Sequence, residues 1–241
     1  MGTVFTIDVR DPGAWGEAVR EVVAWLHHVD ALFSTYLPES QISRIGRQEL
    51  VVESADPLVQ EVLHLCEQYE AETGGIFTAH LPGGLDPSGL VKGWAIERAS
   101  QVLRRHGSHN HAVNGGGDMQ LAGESAPGQA WRVGITDPRD RGRVVTVVTG
   151  RDFAVATSGS YERGAHIVDP RTGHAADLVD SATVLGDGLT RVDVYATTAF
   201  VLGRDALSWL EDVPRHEGML LIDGTQHTTA GFNEPFAGTP T

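Results

Sequence analysis

Asp193 and Thr197 stand four residues apart in a stretch, Val192 to Leu202, whose apolar residues Val192, Ala196, Ala199 and Phe200 fit one side of a helix. That spacing puts a carboxylate and a hydroxyl on one helical face. Both are hard oxygen donors of the kind Mg2+ takes while keeping several waters and bridging to phosphate. The same pair also reads as an aspartate favouring the helix N-terminus and a threonine turned to solvent. The stretch richest in functional groups is Phe153 to Gly173. It opens with a β-like run, Phe153 to Ala156, and Thr157-Ser158-Gly159-Ser160 reads as a small polar turn after it. Tyr161, Glu162, Arg163, His166, Asp169 and Arg171 follow, and Asp169-Pro170-Arg171-Thr172-Gly173 carries a turn signature. The plain alternative for this stretch is a polar surface hairpin.

Two glycine-containing segments could lie close to a ligand. Asp86-Pro87-Ser88-Gly89-Leu90-Val91-Lys92-Gly93 leads straight into a helical pattern. Free N–H groups at a helix start, with a lysine close by, suit a pyrophosphate. The spacing is neither that of a Walker A loop nor GxGxxG, and an ordinary loop ending in a lysine explains it equally well. Asn114-Gly115-Gly116-Gly117-Asp118 suggests close approach of a ligand or of another backbone; a hairpin tip is the simpler reading. The 11 histidines contain no HExxH or HxxxH arrangement, which leaves a zinc hydrolase unsupported. His109 and His111 share one side of an extended segment with no further ligand beside them.

The composition narrows the partners. A net charge of −14 argues against non-specific nucleic-acid or anionic-membrane binding, because both need a basic surface. An anionic ligand would then need a metal ion, helix N-termini or a few placed cations. The single cysteine, Cys66, excludes a disulfide within the chain, and its helical spacing to Val62, Leu63 and Tyr69 marks it as a small buried hydrophobe. No apolar run reaches transmembrane length. The start lacks a basic n-region and a lipobox-like cysteine, so the sequence as it stands reads as cytoplasmic; an exported or membrane-attached form would need a leader upstream of Met1.

The elements that must position these groups follow from periodicity. Val4 to Val9 alternates as a strand, and Trp15 to Phe33 is an amphipathic helix. Ser40 caps a short helical turn, Gln41 to Gly46. Asp56-Pro57 serves as N-cap and N1 of a second helix, which Thr73-Gly74-Gly75 ends. Ile76 to Pro87 reads as a loop and Val91 to His106 as a third helix. Short strands are expected at Ala112-Val113, Met119 to Ala122, Trp131 to Ile135, Val144 to Val148 and Phe153 to Ala156. Helices over Val192 to Leu202 and Ala206 to Glu211 precede a hairpin of Met219 to Ile222 with His227 to Ala230. One α+β domain over residues 1–236 is expected, with a disordered tail over 237–241.

Taken in order, the motifs resemble the ApbE family, the FAD:protein FMN transferases. The resemblance runs through Met1-Gly2-Thr3, Phe33-Ser34-Thr35-Tyr36 with Ser40 and Ile42-Ser43-Arg44, and Thr73-Gly74-Gly75-Ile76-Phe77. It continues through Asp86 to Gly93, Asn114 to Asp118, Ala156 to Arg163, His166 to Gly173, and Asp193-Val194-Tyr195-Ala196-Thr197. Each motif is short; at least seven of them in one order make the resemblance specific. It implies a T-fold-related α+β domain, mainly antiparallel sheet with flanking helices. The implied activity is a Mg2+-dependent cleavage of FAD that joins FMN by a phosphoester to a threonine or serine of a target flavoprotein and releases AMP. Carried over by position, Asp193 and Thr197 are metal ligands, with backbone oxygens near Gly89 and Ala196. Met1, Tyr36, Ile76, Phe77, Thr78, Asp86, Lys92 and Ile167 line the FAD site, and His166 is the base for the acceptor hydroxyl. A neutral imidazole suits that role near pH 7. Tyr36 would stack on a flavin or adenine ring, or fill the core. Two departures stand out: Thr78 occupies a position often held by aspartate, and the loop from Phe77 to Asp86 is short. An FAD pyrophosphatase would use the same site with water as acceptor, and a non-enzymatic FAD-binding protein would need no metal ligands.

Overall fold

The computed structural model describes residues 2–159 and 167–238. Met1, residues 160–166 and residues 239–241 lie outside them, and with them the assignments of Met1 and His166. The chain begins β1 (Phe5–Val9), α1 (Gly16–Phe33), α2 (Gln41–Gly46), a 3-10 turn (Val52–Ser54), α3 (Pro57–Glu72), β2 (His80–Leu81), β3 (Gly84–Leu85) and α4 (Ser88–Arg105). It continues β4 (His111–Gly115), β5 (Asp118–Ala122), β6 (Trp131–Asp137), β7 (Asp140–Arg151), β8 (Phe153–Gly159), β9 (Val168–Asp169), β10 (His174–Ala175) and β11 (Ser181–Gly186). It closes with α5 (Leu189–Leu202), α6 (Asp205–Glu211), β12 (Glu217–Ile222), β13 (Thr225–Thr228) and β14 (Phe236–Ala237).

The main sheet has the order β1-β4-β5-β8-β11-β12-β13 and is antiparallel throughout. Its strands alternate side chains between two cores, as the period of two requires. Val113, Ala154, Ala156, Ala182 and Val184 face the helices, joining Val22, Val62, Trp94 and Phe200 in the larger core. Ala112, Leu121, Phe153, Val155 and Leu185 face the other way, against Trp131, Val133 and Val148 of the β6–β7 hairpin. The fold is therefore α+β, with helices on one face and a small sheet, β14-β7-β6, on the other. Among the described residues no helix is long and apolar enough to cross a membrane.

Several expected boundaries hold because local chemistry fixes them. Ser40 Oγ accepts from Ser43 N at 3.1 Å, and Asp56 Oδ1 accepts from Leu58 N at 2.9 Å ahead of Pro57. Gly74 and Gly75 take φ of +62° and +81° at the end of α3, where side chains with a Cβ would be strained. Other boundaries move. The third helix starts at Ser88, three residues before Val91, with Pro87 as its N-cap and Asp86 Oδ1 accepting from Ser88 N at 3.0 Å. Inside the Ile76–Pro87 loop, β2 and β3 form a short hairpin. β13 begins two residues before His227, and Ala237 still pairs with Arg151 rather than starting a free tail.

The larger correction concerns the centre of the sheet. Thr157-Ser158-Gly159 is not a turn; it continues β8 to Gly159, paired with Thr183, Ala182 and Ser181 of β11. The hydroxyls that suggested a turn have tertiary partners, Thr157 Oγ1 standing 2.9 Å from its cross-strand neighbour Thr183 Oγ1 and Ser158 Oγ 3.3 Å from Thr197 Oγ1 of α5. β11 itself, Ser-Ala-Thr-Val-Leu-Gly, is a strand that the periodicity does not announce. All six residues are buried, flanked by β8 and β12 and covered by α5; Ser181 and Thr183 alternate with Ala182 and Val184 for only four residues before Leu185 and Gly186 break the pattern.

Candidate active site

The starts of two helices and of one strand converge on one cluster of charge. Asp118 opens β5 directly after the Gly116–Gly117 turn, where φ of +65° and +101° reverses the chain. Lys92 lies in the first turns of α4 and Asp193 in the first turns of α5. Lys92 Nζ contacts Asp118 Oδ2 and stands 3.6 Å from Asp193 Oδ1. The other carboxylate oxygens are held by backbone: Thr157 N donates to Asp118 Oδ1 and Gly93 N donates to Asp193 Oδ2, each at 2.9 Å. The side chains of Asp118 and Asp193 are 2% and 4% exposed and that of Lys92 22%, so the cluster opens to solvent only on the lysine's side.

The approach of α4 to α5 depends on Gly93. A Cβ there would lie 2.6 Å from the Leu189 carbonyl oxygen and 2.8 Å from Asp193 Cβ. The N–H of Gly93 is the group that a regular helix directs to the Gly89 carbonyl; here it also reaches a carboxylate. Burial drives the Asp193 carboxyl above the usual carboxylate range, Lys92 pulls it back, and the neighbouring Asp118 raises it further. One ammonium thus faces two buried carboxylates, an arrangement that additional positive charge would stabilise.

Thr197 lies one helical turn beyond Asp193, as the spacing of four requires, and is half-buried. Its Oγ1 is 3.3 Å from Ser158 Oγ on β8. Ala196 is fully buried, so only its backbone oxygen could serve a metal. Among the described residues no group of three or more His, Cys, Asp or Glu could hold a metal. The donors present are a carboxylate, hydroxyls and backbone carbonyls. This set does not suit zinc or another soft-ligand metal and fits Mg2+, which needs few protein ligands.

The residues proposed for FAD divide by place. Phe77 is buried with its ring against the start of α4; a Cβ on Gly89 would be 3.2 Å from Phe77 Cε2. Thr78 Oγ1 donates to Glu70 Oε2 at 3.0 Å and accepts from His80 N at 3.1 Å, which fixes the short loop. Asp86 N donates to Ala79 O at 2.8 Å, holding the loop's end beside its beginning. Ile76 and Ile167 are partly buried against the helix-side core. Tyr36 is 82% exposed, which rules out the core reading and leaves its ring open to a ligand. Beside the Gly116–Gly117 turn, a cleft of about 620 Å3 is lined by Gly2, Thr3, Val4, Thr6 and Asn114. A larger cavity of about 890 Å3 adjoins this cleft through Thr6 and Asn114 and extends over Met119 and Leu121 toward Trp131.

Sequence reasoning missed three members of this site. Asp118 was legible only as the end of a glycine-rich turn, Ser158 only as part of a supposed turn, and Gly93 only as the end of a loop segment. Position after a tight turn was the available signal for Asp118. The contacts of Gly93 and Ser158 come from tertiary structure. Asp169 and Arg171 pair with each other, Arg171 Nη2 to Asp169 Oδ2 at 2.8 Å, in the expected turn. His111 is a buried structural group between Ser100 Oγ at 2.8 Å and Ser108 Oγ at 2.9 Å.

The model of the ApbE family matches residues 1–83 and 79–220. The chain belongs to the ApbE family. A Vibrio cholerae protein named FAD:protein FMN transferase is 34% identical over 165 residues, covering 63% of this chain and 49% of the relative. A Treponema pallidum protein of the same name is 37% identical over 168 residues, 61% of this chain and 46% of the relative. The chain thus spans about half the length of these curated relatives. Among solved structures, the ApbE protein of Thermotoga maritima superposes with a TM-score of 0.84 at 21% identity, over 97% of this chain and 96% of that one. The flavin transferase ApbE of Vibrio cholerae gives 0.82 at 23%, over 96% and 95%. At these identities the superpositions establish the fold.

Proposed function

We propose that this ApbE-family chain is an FAD:protein FMN transferase, carried by one domain over residues 1–236. The observation that supports it most is the buried Asp118–Lys92–Asp193 cluster, with Thr197 and Ser158 beside it, at the start of a helix. Asp193, Thr197 and the backbone oxygens of Gly89 and Ala196 would hold Mg2+. The bound ion supplies charge neutralisation at the pyrophosphate. Lys92 adds a second positive charge there, and the positive end of the α4 dipole favours the phosphate oxygens.

In the proposed reaction a threonine or serine hydroxyl of the acceptor flavoprotein attacks the FMN-side phosphorus of FAD. The new oxygen–phosphorus bond forms as the bond from that phosphorus to the bridging oxygen breaks, and AMP leaves with that oxygen. The hydroxyl proton passes to the imidazole of His166. Phe77, with Ile76, Thr78 and Asp86, shapes the loop that holds the dinucleotide, while Tyr36, Met1 and Ile167 complete its walls. Phosphoryl-type transfer asks chiefly for positioning and charge stabilisation, and a buried cluster on the ends of three rigid elements meets that need. The test is AMP release from FAD with and without Mg2+. Asp193→Ala is expected to abolish the Mg2+-dependent release; unchanged release in that variant would overturn the metal assignment.

A further inference from the structure

The helix that carries the metal ligands is gripped from its other side. Two residues along an α-helix rotate the side chain by about 200°, so Tyr195, between Asp193 and Thr197, points away from the charged cluster. Its hydroxyl donates to Glu72 Oε1, and its ring packs edge-on against Trp209, centroids 4.8 Å apart. Arg191, one turn earlier on the same side, stands 3.8 Å from Glu72 Oε2. Its guanidinium lies 5.9 Å from the ring centroids of both Tyr195 and Tyr69. Glu72 is the last residue of α3. The chain then runs directly into residues 73–78, where Phe77 N donates to Thr73 Oγ1 at 3.1 Å and Gly75 N to Glu70 O at 2.7 Å.

We propose that Glu72, Tyr195 and Arg191 form a positioning clamp that registers the helix bearing Asp193 and Thr197 against the 73–78 loop. This rests on the proposed site: the clamp touches neither nucleotide nor metal, and acts by fixing the distance between the groups that do. A side chain that must sit within a fraction of an ångström of its working position needs a locked second layer, and this one joins two parts of the site through a single carboxylate. Packing also joins α5 to α3, with Tyr69 edge-on to Tyr195 at 6.5 Å between centroids, and the bonds to Glu72 add the direction that packing lacks.

Tyr195→Phe and Glu72→Gln test this, with Ser100→Ala as a remote variant that removes one buried hydroxyl from the His111 network. Three quantities are read: the Mg2+ concentration for half-maximal AMP release, KM for FAD, and amide hydrogen exchange over residues 74–78 in the protein without FAD or Mg2+. The clamp predicts that both saturation constants rise together by about tenfold in Tyr195→Phe and Glu72→Gln. The maximal rate changes little, and exchange at Gly75 and Phe77 quickens. Arg191→Lys, which keeps the charge, should fall between these variants and the parent. Ser100→Ala should lower the unfolding midpoint without moving any of the three. If the clamp variants merely lose stability, with both constants and the 74–78 exchange as in the parent, the clamp is overturned. If the parent releases no AMP, the transferase reading fails, and the exchange measurement still decides the clamp.

Discussion

Gly93→Ala probes the approach of α4 to α5 at a single atom. In an open helix this change stabilises by about 1 kcal/mol, because alanine is the better helix former. Here the added methyl would meet the Leu189 carbonyl oxygen at 2.6 Å and Asp193 Cβ at 2.8 Å. Neither is the far end of a flexible side chain, so the helices must part. Overpacking of this kind costs about 1–3 kcal/mol. Parting also weakens the Gly93 N to Asp193 Oδ2 bond, a hydrogen bond to a charged group worth about 1.5–3 kcal/mol. Net of the propensity gain, a loss of about 1.5–5 kcal/mol is expected, a fall in Tm of roughly 3–20 °C for a chain of this size. The assay is thermal unfolding of the two proteins together with the Mg2+ dependence of AMP release. The variant should be less stable and need more Mg2+ for half-maximal release. A variant as stable as the parent, with unaltered Mg2+ dependence, would refute the claim that the contact of these helices sets the position of Asp193.

Burial, aided by Arg104, pushes the His111 imidazole down to about 4. The folded state keeps it neutral where the unfolded chain already binds a proton. Stability from this group is therefore full above about pH 6.5 and is lost as the pH falls toward 4, by about 3 kcal/mol in all. Urea unfolding across that range should show the decline, and His111→Gln should flatten it; an equal slope in both proteins would contradict the assignment. Burial also pushes the Cys66 thiol up to about 12, with Glu67, Glu70 and Asp86 adding to the rise. A thiol reagent at neutral pH should label it only as fast as the protein unfolds; rapid labelling of the native protein would show that the thiol is accessible.

Much of the fold was legible where one face of an element meets water. The helix from Trp15 to Phe33 and the capped starts at Ser40 and Asp56 were read correctly because apolar spacing and capping chemistry are local. The centre of the sheet was not legible, since β11 is buried on both faces and its alternation ends after Val184. The hydroxyls of Thr157 and Ser158 look like turn residues until their partners, Thr183 and Thr197, are known. The same divide runs through the site. Spacing alone put Asp193 and Thr197 on one face, while Asp118 joins them only because the main sheet brings the start of β5 beside α4. The departure at Thr78 also has a local account, since its hydroxyl is taken up by Glu70 and the short loop closes on itself through β2 and β3.

The most direct test of the account is to incubate the protein with FAD and Mg2+, with and without a flavoprotein carrying a candidate acceptor threonine. AMP in solution and the mass of the flavoprotein are then measured. The account predicts AMP release together with a mass gain of one FMN on the flavoprotein, both lost when Mg2+ is removed. AMP with free FMN and no adduct on any acceptor offered would contradict transfer and make water the acceptor. Tight FAD binding with no AMP in either mixture would contradict catalysis itself.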